Sequence, residues 1–580
     1  MGIRITNKMM TNNSLNNLNV NKILHDKAST QVATQQKITR ASEDPVVAIR
    51  ALRLKSSLST LNQYYDKNIP DATTWLENTQ TALANMETCA SSIRELATKL
   101  SSGQYSLSEK QDLLAEYQSL REQIYAEGNA DLSGRSLLTG YKTNMDLAFK
   151  KADTSASYRI TERFSGTDVE SITYVSGTVD VNASDILAST DTEYDQNTIV
   201  NNALYRMRLS YGDLSVNSDA TATGLTYSSS GKLSTNLTVA IAGSTTGYVK
   251  ASVNLDAATG TVSATIAGTD SLGGSYSAAV DAATGIVTIS DSSGTIVGNF
   301  DYAVDGNTVS ASKTVAVNAV SLSDTGGSDA AYLNTSAEGI TFIKETGELI
   351  LGAGVYQSLQ NCGDDAISFT YEKTGFSEGE LKPEHYFDCT NLVTGAEYTN
   401  QDVAQNIDYT VNFNQTITVN TEAKDVFDQS IGRDVDDMIA ALEAAIAADT
   451  KKEKLESMLN DSQYSDKKEY IQSMLDAVEK EQTYAQNKLQ NLAEQSITNF
   501  DGYVNNITRA KTEVGSKLSR LSLIKERALK QQTNLETLSE ENIGIELSDA
   551  LIKQEAASLA YNAALTATSK IISNSLLDFL

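Results

Sequence analysis

Few side chains in this 580-residue chain could do chemistry. Two histidines, His25 and His385, and three cysteines, Cys89, Cys362 and Cys389, are the whole supply of soft ligands and His-based partners. A zinc peptidase needs two histidines one helical turn apart with a glutamate between them, and these two stand far apart in the chain. A histidine-based triad is barely constructible from so small a stock. The densest polar run, KPEHYFDC, places Glu384, His385, Asp388 and Cys389 within eight residues. A metal would require all four to converge from one short loop, and surface turn residues beside a buried thiol are the simpler reading. Cys89 falls on a helical apolar seam and reads as a small buried hydrophobe. Cys362 and Cys389 are free to pair or to remain thiols, and spacing leaves both open. No P-loop pattern occurs, and Gly-rich spots such as TDSLGGSYS sit among turns rather than between a strand and a helix. We therefore expect no catalytic, cofactor-binding or metal residues, and no enzyme.

A different chemistry, that of recognition, is concentrated in KITRASEDPVVAIRALRLKSSL at residues 37–58, where five residues are Lys or Arg although the whole chain carries a formal charge of -28. Residues 1–58 hold nine Lys or Arg against three Asp or Glu, whereas residues 151–430 hold 12 against 35. So acidic a chain repels polyanions at long range, and the patch has no interleaved aromatics, which argues against nucleic acid and against an anionic membrane as partners. Arg50, Arg53 and Lys55 then form either a solvated helix face or a face that meets an acidic surface on an adjoining subunit. Asp44 has the chemistry of an N-cap, with Pro45 at the first helical position. The first residues lack an apolar signal core, and no run of 18 apolar residues occurs, so the expectation is a chain without a cleaved secretory signal.

The elements that must carry this patch are legible from periodicity. Alternating steps of four and three from Val47 give Ala51, Leu54, Leu58, Leu61, Tyr65, Trp75, Met86, Ile93 and Leu96, a seam broken only at Asn68 and Thr79. A heptad held this far predicts a long helix packed along its length, roughly 80 Å if it ran unbroken over residues 45–100 at 1.5 Å per residue. Pro70 lies inside it and predicts a kink or short break. Ser106 and Glu109 are spaced as a capping box for a following helix. A second seam runs Ile497, Phe500, Val504, Ile507, Val514, Leu518 and Leu521. Between the two, short Thr-, Val- and Gly-rich alternations predict β structure, with the turn motif DAATG at Asp256–Gly260 and again at Asp281–Gly285.

The predicted class is α+β: a long antiparallel coiled-coil or helical bundle built from both termini, with a large β-rich insert. The expected divisions are an N-terminal arm over 1–42, disordered until assembly because asparagine is a poor helix former; a helical rod and hairpin over 43–150; a β-rich outer insert of one or two subdomains over 151–425; a second helical rod over 426–539; and an assembly helix over 540–580.

Several stretches carry a family likeness. ITNKMMTNNSLNNLN, KITRASEDPVVAIRALRLKSSL with LNQYYDKNIPDATTWLENTQTALANM after it, EGNADLSGRSLLTGYKT and the terminal SKIISNSLLDFL resemble the hook-associated protein 3 family, the hook-filament junction proteins of the flagellin superfamily. DYTVNFNQTITVNTEAKDVF is similar to the strand pair that precedes the C-terminal helices in that family. The resemblance covers both helical ends and leaves most of residues 150–400 unassigned. It implies an extracellular structural protein of the bacterial flagellum, exported unfolded through the type III export apparatus with an export chaperone. Its implied partners are copies of itself in a ring, hook-associated protein 1 and flagellin. A flagellin filament subunit shares the helix-β-helix plan and is the nearest alternative; a coiled-coil surface adhesin is a more distant one.

Overall fold

The computed structural model describes residues 7–214, 224–242, 247–269, 274–360, 362, 366–399 and 404–577, with side chains described as far as residue 571. The fold is α+β, with long helices at both ends of the chain and antiparallel sheets between them. Two compact units are formed: the first from Met1–Glu77, Asp408–Val419 and Gly515–Leu580, the second from Asn78–Ile407 and Asn420–Val514. The hairpin at Asp408–Asn412 and Gln415–Thr418 thus groups with the terminal helices and not with the β insert.

In the first unit, helix Asn7–Thr34 lies antiparallel to helix Leu547–Leu577. His25 stacks on Tyr561 at 5.8 Å, Ser29 Oγ accepts from Gln554 Nε2 at 3.3 Å, and the chain beyond the first helix is pinned where Lys37 N–H donates to the Ile543 carbonyl at 2.6 Å. Despite its asparagines the front stretch is helical. Small residues, Ala28 on one helix and Ala550 on the other, are buried, so the pairing rests on close approach rather than on large apolar side chains.

Helix Pro45–Gln63 starts as its residues dictate. Asp44 is extended at φ -151° and ψ 99°, and its carboxylate accepts from the Val46 and Val47 N–H groups at 3.0 and 3.1 Å. These are two of the donors that a helix start leaves unpaired, while Pro45 has none to leave. At Tyr64–Asn68 the helix widens into a π-turn, with the Ile69 N–H reaching back to the Tyr64 carbonyl, before helix Ile69–Ser102 continues. The cause is Pro70. Its ring would collide with the carbonyl four residues earlier in an α-helix, and widening the preceding turn makes room without ending the helix. The hairpin seats on this turn: Asn68 Nδ2 donates to the Thr410 carbonyl at 2.7 Å, and Phe413 meets Tyr64 edge-on at 5.7 Å.

Burial along the seam is graded. Val47, Ala51, Leu54, Leu58 and Tyr65 are half-buried, Leu61 is closed off, and Trp75, Met86, Ile93 and Leu96 are buried. A second row, Leu76, Leu83, Ala90 and Ala97, is buried beside them, so the apolar face is wider than a two-per-heptad seam. On helix Lys468–Ile543, Phe500, Ile507, Val514 and Leu521 are buried, and Ile497, Val504 and Leu518 half-buried. Within the second unit the helices run antiparallel: Glu87 accepts from Lys511 at 2.6 Å, Arg94 meets Asp501 at 2.5 Å, and Arg121 meets Asp436 at 2.6 Å. Helix Leu107–Gly128 opens with the Ser106–Glu109 capping box expected of it.

The insert contributes three sheets, of nine, five and three strands, all to the second unit. The two DAATG turns behave alike. Gly260 and Gly285 take φ of 69° and 73°, and in each the leading aspartate accepts from the N–H two residues on, Asp256 from Ala258 at 2.8 Å and Asp281 from Ala283 at 2.9 Å. Asp291 closes a third turn on Ser293 and Thr295 in the same way.

The five-stranded sheet is fastened to helix Ser430–Asn460 by a knot of buried charge. Arg206, on strand Val200–Arg208, bonds Glu348 and Glu170 at 2.6 Å and Asp437 at 2.7 Å. Arg208 meets Asp437 at 2.8 Å and also pairs with Asp434, whose other oxygen accepts from Tyr503 at 2.8 Å and Asn499 at 2.9 Å. Burial alone would raise the Asp437 carboxyl, but Arg206 and Arg208 override it and hold it well below the usual carboxylate range. In the nine-stranded sheet Glu162 sits buried without an ion-pair partner among the described residues, accepting from Ser210 N and Oγ at 3.1 and 3.0 Å and from Tyr371, and burial pushes its carboxyl up to about 7.

Candidate assembly interface

The chemistry-bearing residues do not gather. His385 is buried with Nε2 3.1 Å from the Asp146 carbonyl oxygen, and burial, aided by nearby Lys142, pushes its pKa down to about 3, so the ring is neutral. Burial pushes the Cys362 and Cys389 thiols up to about 12, and both are free, as is buried Cys89. Among the described residues no group of His, Cys, Asp and Glu has the arrangement of a metal site.

What the first unit does present is a surface that none of the described residues covers. Arg50, Arg53 and Lys55 are exposed on helix Pro45–Gln63, and no hydrogen bond or ion pair engages their side chains among the described residues. Interleaved with them are Val46, Ile49 and Leu52, 69, 53 and 66% exposed. The spacing is three residues, which puts them in one row on the helix surface. Sequence reading missed this row, because counting from Val47 selects one stripe of a helix that is apolar on more than one side. VVAIRALRL contains the signal: a helix apolar nearly all round needs cover all round. The helix pair of the same unit repeats the pattern, with Val20, Ile23 and Leu24 exposed on one helix and Leu551, Ile552, Leu559 and Leu565 on the other. Fully burying an exposed Val, Leu or Ile is worth about 1.5–3 kcal/mol, and covering these partly exposed side chains is worth a fraction of that each, so the row and the paired helices together hold an unclaimed driving force for association.

Residues 5–143 match the family model described as the bacterial flagellin N-terminal helical region. No curated protein matches the chain by sequence. Among solved structures, FlgL of Xanthomonas campestris is 13% identical over 84% of this chain and 99% of its own, with a TM-score of 0.27. Hook-associated protein 3 of Legionella pneumophila is 10% identical over 84% of this chain and 96% of its own, with a TM-score of 0.25. FliC of Burkholderia pseudomallei is 11% identical over 78% of this chain and 99% of its own, with a TM-score of 0.15. The family model itself spans the exposed row, the cap and the seam as far as the capping-box helix, so the likeness of residues 5–143 to a flagellin N-terminal helical region covers the elements that carry this surface.

Proposed function

We propose that this chain is a structural subunit of the bacterial flagellum at the junction between hook and filament. It joins hook-associated protein 1 on one side to flagellin on the other and packs against copies of itself in a ring. The observation that carries this reading is the coincidence of the flagellin-type helical region with the uncovered row Val46, Ile49 and Leu52 and the unengaged cations Arg50, Arg53 and Lys55. Apolar side chains flanked by free guanidinium groups suit a neighbour with an apolar strip and acidic margins, and a chain of charge -28 supplies acidic margins in every copy. The likeness of SEDPVV and SLLDFL to the junction family, more than to flagellin, supports the junction over the filament body.

The arms order fully on assembly. Residues 7–42 and 540–571 of these arms hold one another through small side chains and leave larger apolar residues outside, so neighbours complete their burial. Such a subunit is exported unfolded by the type III apparatus, with its chaperone, to the extracellular flagellum. Deleting the gene is the test. Hooks without filaments, with flagellin shed into the medium, are expected, and normal filaments on the mutant sink the junction reading.

A further inference from the structure

A cleft of about 630 Å³ opens in the second unit between strand Glu170–Ser176 and the helices Ser430–Asn460 and Lys468–Ile543. Its volume is that of a small-molecule site. Most of the charge lining it is already spent. Arg206 is tied to three carboxylates, Asp436 is held by Arg121, and Arg433 donates to the Thr346 carbonyl.

Arg433 has no carboxylate partner among the described residues and its buried Nε makes no hydrogen bond, and Lys488 is engaged least of all. It lines the same cleft, is partly buried, and its ammonium makes no hydrogen bond or ion pair among the described residues. Burial, with nearby Arg206, lowers its pKa even though Glu348 and Asp437 draw the other way. An ammonium that has lost water and gained no acceptor is unfavourable, and its three donors await an anionic group.

Apart from the charged groups, the cleft has a neutral, hydrogen-bonding lining that includes Ser171, Thr173, Asn491, Gln495 and Thr498. Tyr174 and Tyr332, their rings stacked at 4.4 Å and 17°, also line it. Hydroxyl and amide side chains match a polyhydroxylated ring, an aromatic face matches its C–H side, and the ammonium matches a carboxylate. Glu494, also lining the cleft, is exposed to solvent, and its repulsion of an anion is weakened by salt.

We propose that this cleft binds a sugar acid, a saccharide bearing a carboxylate, with Lys488 anchoring the carboxylate. The site lies in the insert and the helices beside it and does not depend on the flagellar reading.

Calorimetric titration of the full chain with glucuronate and with N-acetylneuraminate tests it, with glucose and acetate as controls. At least one sugar acid is expected to saturate the protein at millimolar concentration or below, with glucose and acetate far weaker. Lys488→Met should weaken that binding about tenfold or more, the loss of one charge-assisted contact, and Lys488→Arg should largely restore it. The unfolding temperature of Lys488→Met should be unchanged or higher, which separates a lost ligand from a lost fold. Glucose binding as well as glucuronate, acetate competing at the same concentration, wild-type affinity in Lys488→Met, or no heat from either sugar acid would each overturn the proposal.

Discussion

Two regions of this chain use arginine in opposite ways. In the second unit Arg206 and Arg208 are buried and saturated, meeting four carboxylates between them. In the first unit Arg50 and Arg53 stand in solvent beside bare apolar side chains. A guanidinium that has lost its water must find every partner within the chain, so the buried pair specifies how sheet and helix fit. One that keeps its water keeps its valence, and is available to a neighbour. The contrast separates what this molecule does for itself from what it holds out to others.

Removing a partner from the buried side should have the largest effect on folding. Arg206→Ala leaves Glu170 and Glu348 without their cation and Asp437 with Arg208 alone, and is expected to cost about 3–5 kcal/mol in urea unfolding. A loss below 1 kcal/mol would mean that the knot is not what fastens sheet to helix. Its pH dependence follows from Asp437, whose folded pKa is depressed. That contribution is present above the ordinary carboxylate range and is lost as pH falls through the lowered value, so acid should narrow the gap between wild type and variant.

Glu162 sharpens the comparison from the other side, as a buried carboxyl with no cation of its own among the described residues. Its folded pKa is raised from 4.5 to about 7, so its favourable contribution is complete below pH 4.5 and is lost as pH rises through about 7. At full size that loss is about 3 kcal/mol, and Glu162→Gln should abolish it while keeping the bonds to Tyr371 and Ser210. Unfolding free energy measured across pH 4.5–8 decides it. Equal slopes in the two proteins would show Glu162 to be charged or hydrated in the fold.

Smaller still is the effect of Asp44→Ala, which unseats the Val46 and Val47 N–H groups and should cost about 1 kcal/mol by thermal unfolding. Faster proteolysis near residues 36–44 should accompany it. Smallest for the isolated chain is the double change Ile49→Ser and Leu52→Ser, expected within about 0.5 kcal/mol of wild type because both side chains are exposed. Filament attachment in cells should nevertheless fail. Normal attachment with this pair would move the assembly surface elsewhere.

The legibility of the chain divides along the same line. The seam from Trp75 to Leu96 was readable because an apolar period needs only local counting, and the DAATG turns because an aspartate and a glycine four residues apart close a turn unaided. The charge knot was not readable. Arg206 and Arg208 lie on a strand and Asp434 and Asp437 on a distant helix, and no local pattern pairs them. Pro70 predicted a disturbance, yet its relief by a π-turn that also seats the Thr410 hairpin depends on contacts made far along the chain. The exposed row at Val46, Ile49 and Leu52 lay in plain sight and was missed for a different reason: one stripe was sought where the helix carries two.

The self-closing turns of the insert have a consequence for descent. Because Asp256, Asp281 and Asp291 each seal a hairpin from its own strand end, borrowing nothing from the helices, hairpins of this kind can be gained, lost or lengthened with only their immediate neighbours affected. A lineage can therefore rewrite these hairpins of the insert without disturbing the packing of the terminal helices.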